Sequence, residues 1–145
     1  MKHFILNLSD GDRQQAASFL RAKMWALERD ERHSSLLAPG DLALIHVGRP
    51  RCEFIGRAEL ASAFHDRTPS ESEARADGRP GSVWLADVEE WPRAVPLHAV
   101  VRRIDPTASN PYVQANVAGF QSGIVLITAE EFAAAVALGR ESCQT

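Results

Sequence analysis

The sequence predicts a mixed α+β fold, a small barrel with flanking helices, and three observations carry that expectation. Strand-length apolar runs outnumber the stretches with helical spacing. The two clear helical stretches sit near the two ends of the chain, which suits helices laid against one sheet rather than alternating with its strands. The 145 residues suffice for one core and are too few for two independent ones.

Residues 3–8 read as a short apolar strand. Ser9 or Asp10 then caps a helix, with Asp12 in its first turn, where a carboxylate suits the helix dipole. Ala16, Ala17, Phe19, Leu20 and Met24 recur at helical spacing, interrupted by Lys23, and predict a helix ending near Met24 and Trp25. Residues 28–35 are charged and irregular. Pro39-Gly40-Asp41 is a turn into the apolar run 42–47, and Gly48-Arg49-Pro50-Arg51 is a second turn. Residues 52–63 supply the partner strand, with Gly56 marking a bulge. The stretch 65–82 is rich in turn residues and is expected to be the most mobile internal segment. Strand character resumes over 83–91, where the alternation of Val83, Leu85 and Val88 is broken once. The odd separation of Trp84 and Trp91 predicts opposite faces.

Residues 97–104 form a short element, and 119–127 hold the last strand. Thr128-Ala129-Glu130-Glu131 is a capping box that opens a final helix with Phe132, Ala135, Val136 and Leu138 inward. Leu44, Ile45, Ile55, Val83, Leu85, Val125 and Ile127 are expected to line one closed or nearly closed sheet, with the first and last helices on its outside.

Composition narrows the function. The chain is 45% hydrophobic and 24% charged, close to the globular average. No run approaches the 18 or so apolar residues of a membrane span, and the N-terminus lacks the pattern of a signal peptide; a cytoplasmic protein is expected. The net charge of -3 is uneven. Up to Leu60 there are nine Lys/Arg against eight Asp/Glu, and afterwards seven against eleven. That balance excludes a protein that coats duplexes by bulk charge and leaves room only for a focused nucleic-acid site. Cys52 and Cys143 have no spacing suited to zinc, and a disulfide is not expected. The five histidines, His3, His33, His46, His65 and His98, show no metal-binding spacing, and no nucleophile or phosphate-loop motif occurs. No enzyme, metal or cofactor is expected.

Several short motifs occur in a telling order. Trp25 lies near a helix end, followed by the strand Pro39-Gly40-Asp41-Leu42-Ala43-Leu44-Ile45-His46-Val47 and then by Phe54-Ile55-Gly56-Arg57-Ala58-Glu59-Leu60. Val95-Pro96-Leu97, Asn110-Pro111, Gly119-Phe120-Gln121-Ser122-Gly123-Ile124 and the helix introduced by Ile127-Thr128 complete the series. In this order the chain, over residues 1–145 as one domain, resembles the EVE domain of the PUA-like superfamily, a relative of the YTH and ASCH domains. The resemblance implies a PUA-like mixed β-barrel with flanking helices whose opening takes up a flipped-out, modified nucleobase in DNA or RNA. Such a base must be stacked on aromatic rings and read along its polar edge.

Carried over residue by residue, the resemblance makes Trp25 the main stacking platform, the alternative being a Trp packed in the core. Asn7 and Ser9 would present polar groups to the base edge, as Asn can pair bidentately with an adenine-like edge; Ser9 serves equally as a helix cap. His46 stands where many EVE domains have Tyr, so the second wall is either a ring or a hydrogen-bonding group, with a core histidine as the alternative. Phe120 would close the pocket or lie buried on the last strand. Arg29, Arg32, Arg49 and Arg51 would contact flanking phosphates, although Glu28, Asp30, Glu31 and Glu53 among them equally suit a self-neutralising surface. A small-ligand or protein-interaction module on the same barrel remains open. An ASCH-type hydrolase would need a Lys in the pocket, and only Lys2 and Lys23 are available.

Overall fold

Parallel pairing of two buried, largely apolar strands organises the sheet. In the computed structural model, which describes residues 1–8, 13–27, 34–47, 53–66, 81–104 and 124–143, strand β1 (His3–Leu8) runs alongside β3 (Leu42–Val47) in parallel register from His3 opposite Leu42 to Leu8 opposite Val47. Both strands are buried nearly throughout, as strands covered on both faces must be. On one side β7 (Ile124–Ile127) pairs antiparallel with β1. On the other, β3 pairs with β4 (Glu53–Leu60), which pairs with the 16-residue β6 (Gly81–Pro96). The start of β6 extends past β4 and pairs with β2 (Met24–Leu27) and with the short β5 (His65–Asp66). The order is β2-β6-β4-β3-β1-β7, a curled mixed sheet with helices, which is the expected α+β class.

Alternation along the strands sends side chains to two buried layers. Phe4, Leu6, Ala43, Ile45, Ile55, Val83 and Leu85 form the inner layer, closed by Phe19 and Leu20 of α1 (Arg13–Ala22). Ile5, Leu44, Phe54 and Val125 face outward, under α2 (Leu97–Ile104) and α3 (Ala129–Cys143). The apolar residues expected to line one sheet do belong to it but divide between its faces, and the first and last helices cover opposite faces.

Three local departures have identifiable causes. The first helix stops at Ala22 because Lys23 takes φ 57, a left-handed conformation that ends a helix. Met24 and Trp25 therefore enter a strand rather than a helix end. Gly56 does lie at a break in register: Ile45 faces Gly56 while His46 faces Phe54, so Ile55 is the extra residue of a bulge. Glycine is required there, because a Cβ would run into the backbone of Glu89. On β6 a second bulge falls at Asp87 (φ 46), and it restores Val88 to the inner side. That bulge undoes the parity expected of the two tryptophans. Trp84 alternates with inner Val83 and Leu85, while Trp91 joins the outer layer, so both point away from the inner core.

The ends of the stretch 65–82 are ordered against each other, with His65 opposite Ser82; its centre, residues 67–80, lies outside the described residues, as do 119–123 of the expected last strand. The capping box forms as its residues predict. The Thr128 amide donates to Glu131 Oε1, and the Glu131 amide to Thr128 Oγ1, both at 3.1 Å. Farther along α3, Glu89 accepts the Trp91 indole N–H at 3.1 Å and both arms of the Arg140 guanidinium at 3.2 Å, fastening the helix to β6. Among the described residues no helix is long and apolar enough to cross a membrane.

Candidate functional site

Two of the residues expected at the site meet across the parallel strands. Asn7 and His46 are cross-strand partners in the β1–β3 register, and Nδ1 of His46 lies 2.8 Å from Oδ1 of Asn7. With the amide oxygen facing the ring, Nδ1 carries the proton and donates it. Both residues are buried, at 6% and 1% exposure. Burial disfavours the imidazolium and pushes the His46 pKa down to about 4, so the ring is neutral at physiological pH. The bulge at Ile55 brings Phe54 beside it, with ring centroids 4.9 Å apart and planes at 63°. The result is a polar pair with an aromatic side wall, held by backbone register rather than by a flexible loop.

The strands also determine which segments adjoin this pair. Leu8 faces Val47, Val47 faces Glu53, and Ile124 faces Leu6. The chain therefore leaves β1 and β3, and enters β4 and β7, at the same end of the sheet, beyond the carboxyl ends of the two parallel strands. Crevices at such ends are common ligand sites in sheets with parallel pairing. Ser9, Arg49, Arg51 and Phe120 lie in those connecting segments, outside the described residues.

Trp25 is placed elsewhere. It pairs with Val83 and is 1% exposed in the inner layer, its ring edge-on to Phe19 at 5.2 Å. Asn7 and His46 are on strands whose inner layer is formed by their neighbours Leu6, Leu8, Ile45 and Val47. The stacking platform expected at Trp25 is thus a core residue here, because the turn at Lys23 carries it into β2. Arg29 and Arg32 lie outside the described residues; their segment departs after Leu27, which pairs with Gly81 at the opposite end of the sheet from His46.

The Gly-Asp turn proves to be scaffold. Burial of Asp41 by itself raises its pKa, but hydrogen bonds from the backbone and side chain of Lys2 outweigh that and hold the carboxyl below its ordinary value. The Lys2 amide and ammonium lie 3.0 and 3.1 Å from its two oxygens, tying the N-terminus to the start of β3. An open cleft of about 580 Å³ runs beside α1, lined by Arg13, Gln14, Ala17, Arg21 and Glu90. Its cations are engaged, Arg13 with the Trp91 carbonyl at 3.0 Å and Arg21 with Glu90 at 3.7 Å. Among the described residues no three His, Cys, Asp or Glu side chains converge as a metal site would need.

One aromatic pair escaped the sequence reading. Trp84 is 40% exposed and its ring lies nearly parallel to that of His65, at 24° with centroids 6.1 Å apart. No local signal marks it, since the pairing depends on β5 meeting β6 across the stretch 65–82.

No protein-family model and no curated protein matches the chain. Its likeness is to solved structures. A Rhodopseudomonas palustris protein solved by NMR is 18% identical with a TM-score of 0.62, over 97% of this chain and 94% of that one. A hypothetical protein from Leishmania major is 14% identical with a TM-score of 0.65, over 100% and 98%. The ASCH protein of Zymomonas mobilis is 17% identical with a TM-score of 0.57, over 94% and 95%. At these identities what is shared is the fold, a mixed sheet with flanking helices that this chain has in common with an ASCH protein.

Proposed function

We propose that this domain is a nucleic-acid-binding module of the EVE type, which holds one flipped-out, modified nucleobase of DNA or RNA at the sheet end where Asn7 and His46 meet. The observation that carries the reading is the buried Asn7–His46 pair, 2.8 Å apart at the carboxyl ends of two parallel strands. A neutral imidazole and a carboxamide are suited to reading the donors and acceptors of a base edge. Phe54 supplies an aromatic wall beside them. Ser9, Phe120, Arg49 and Arg51 belong to the segments that join the sheet at this end, and we assign them to the base edge, the pocket closure and the flanking phosphates. The role is binding rather than catalysis, and it needs no cofactor. The likeness of fold to an ASCH protein supports the class of module without specifying the base.

The test is a panel of labelled single-stranded and duplex oligonucleotides, each with and without a modified base, titrated into the full chain. Preference for at least one modified oligonucleotide is expected. Asn7→Ala should weaken that binding by about 1–3 kcal/mol, the value of one well-placed bidentate contact. Equal affinity of wild type and Asn7→Ala for every member would sink the proposal.

A further inference from the structure

We infer that Trp84 and His65 form a second, preorganised stacking step for a base of single-stranded nucleic acid, at the opposite end of the sheet from Asn7 and His46. The inference extends the nucleic-acid reading above and rests on it. Trp84 is the exposed tryptophan of this chain, at 40%, against 1% for Trp25 and 0% for Trp91. Hydrogen bonds hold the backbone at this position. Its amide donates to Ser62 Oγ at 2.9 Å, and its carbonyl accepts the Ala61 amide at 2.8 Å. The Ser62 hydroxyl is itself anchored, donating to the Ala63 carbonyl at 2.9 Å.

His65, which backs the indole, is held as firmly. The Ala63 carbonyl can only accept, so the contact to His65 Nδ1 at 3.4 Å places the proton on that nitrogen. Nε2 then accepts from the hydroxyl of the fully buried Ser82 at 3.0 Å. The imidazole is thus clamped at both nitrogens with its plane close to that of the indole. A rigid ring loses little freedom when a ligand stacks on it, which is what makes such a ring an efficient contact.

The chemistry that fits is a planar, electron-poor ring with a charged backbone. Bases stack on exposed tryptophan with little regard to sequence. Lys23, exposed and receiving the Leu85 amide on its carbonyl, places a cation next to Met24, the cross-strand partner of Trp84. A phosphate flanking the stacked base would have its counter-charge there.

The experiment titrates a short single-stranded oligothymidylate into the full chain, following tryptophan emission and, with a labelled copy, anisotropy. Quenching is expected in wild type, because the exposed indole is the one a base can reach. Trp84→Ala should weaken binding on the order of tenfold or more, while Trp84→Phe keeps most of it. If the oligonucleotide binds wild type and Trp84→Ala equally with no quenching, this step is overturned while the proposed function stands. If Trp84→Ala loses oligothymidylate binding while wild type shows no preference for any modified oligonucleotide, the step stands and the base pocket is the part that fails. Quenching by a neutral oligosaccharide and none by oligothymidylate, or no oligonucleotide binding at all, overturns the step.

Discussion

His46 shows how one residue's surroundings decide its chemistry. Its ring is neutral because burial lowers its pKa from 6.5 to about 4. Unfolding returns the ring to water, where it takes up a proton at any pH below about 6.5. The stability that comes from keeping it neutral is therefore fully present above pH 6.5 and is lost as pH falls toward 4. The full shift corresponds to about 3 kcal/mol. The carboxyls of Asp41 and Glu89 have pKa values held below their ordinary ones, so their contributions fade only at more acid pH. Melting curves of wild type between pH 7 and pH 5 should show a clear loss that His46→Gln flattens; parallel curves for both proteins would contradict the burial. Trp25 is decided in the same way. As a core residue at 1% exposure, its replacement by Ala should cost about 3–5 kcal/mol and lower the melting transition markedly. Unchanged melting together with weakened oligonucleotide binding would instead restore it as a stacking platform.

At the scale of elements, local patterns were legible and long-range pairing was not. The runs 3–8 and 42–47 could be read because their composition and bounding turns are local. The bulge at Gly56 and the box at Thr128 could be read because one residue type at one place demands each. Thr128→Ala should accordingly cost about 1 kcal/mol of stability, measured by chemical unfolding, and an unaltered midpoint would deny the box its role. The strand Met24–Leu27 was hidden because its apolar residues continue the stripe of the helix before it, and only the φ of Lys23 separates them. The opposite faces expected of Trp84 and Trp91 do not occur because a bulge at an aspartate, unlike one at a glycine, leaves no mark in the sequence. Asn7 and His46 could each be named as candidates, but their 2.8 Å contact depends on parallel pairing of strands 39 residues apart. The pairing of His65 with Ser82 is non-local in the same sense.

The whole molecule is a mixed sheet with a buried layer on each face, α1 closing one and α2 and α3 the other. Covered in this way, the sheet offers its ends to a ligand more readily than its faces, and the proposed base site is the end formed by β1, β3, β4 and β7. Chemical-shift mapping of the labelled chain, titrated with a single-stranded oligonucleotide carrying the preferred base, tests that most directly. The largest amide shifts should cluster at Asn7, Leu8, His46, Val47 and Ile124, with the His46 ring protons moving in step. Shifts confined to the cleft beside α1 at Arg13 and Arg21, with Asn7 and His46 unmoved at saturation, would contradict it.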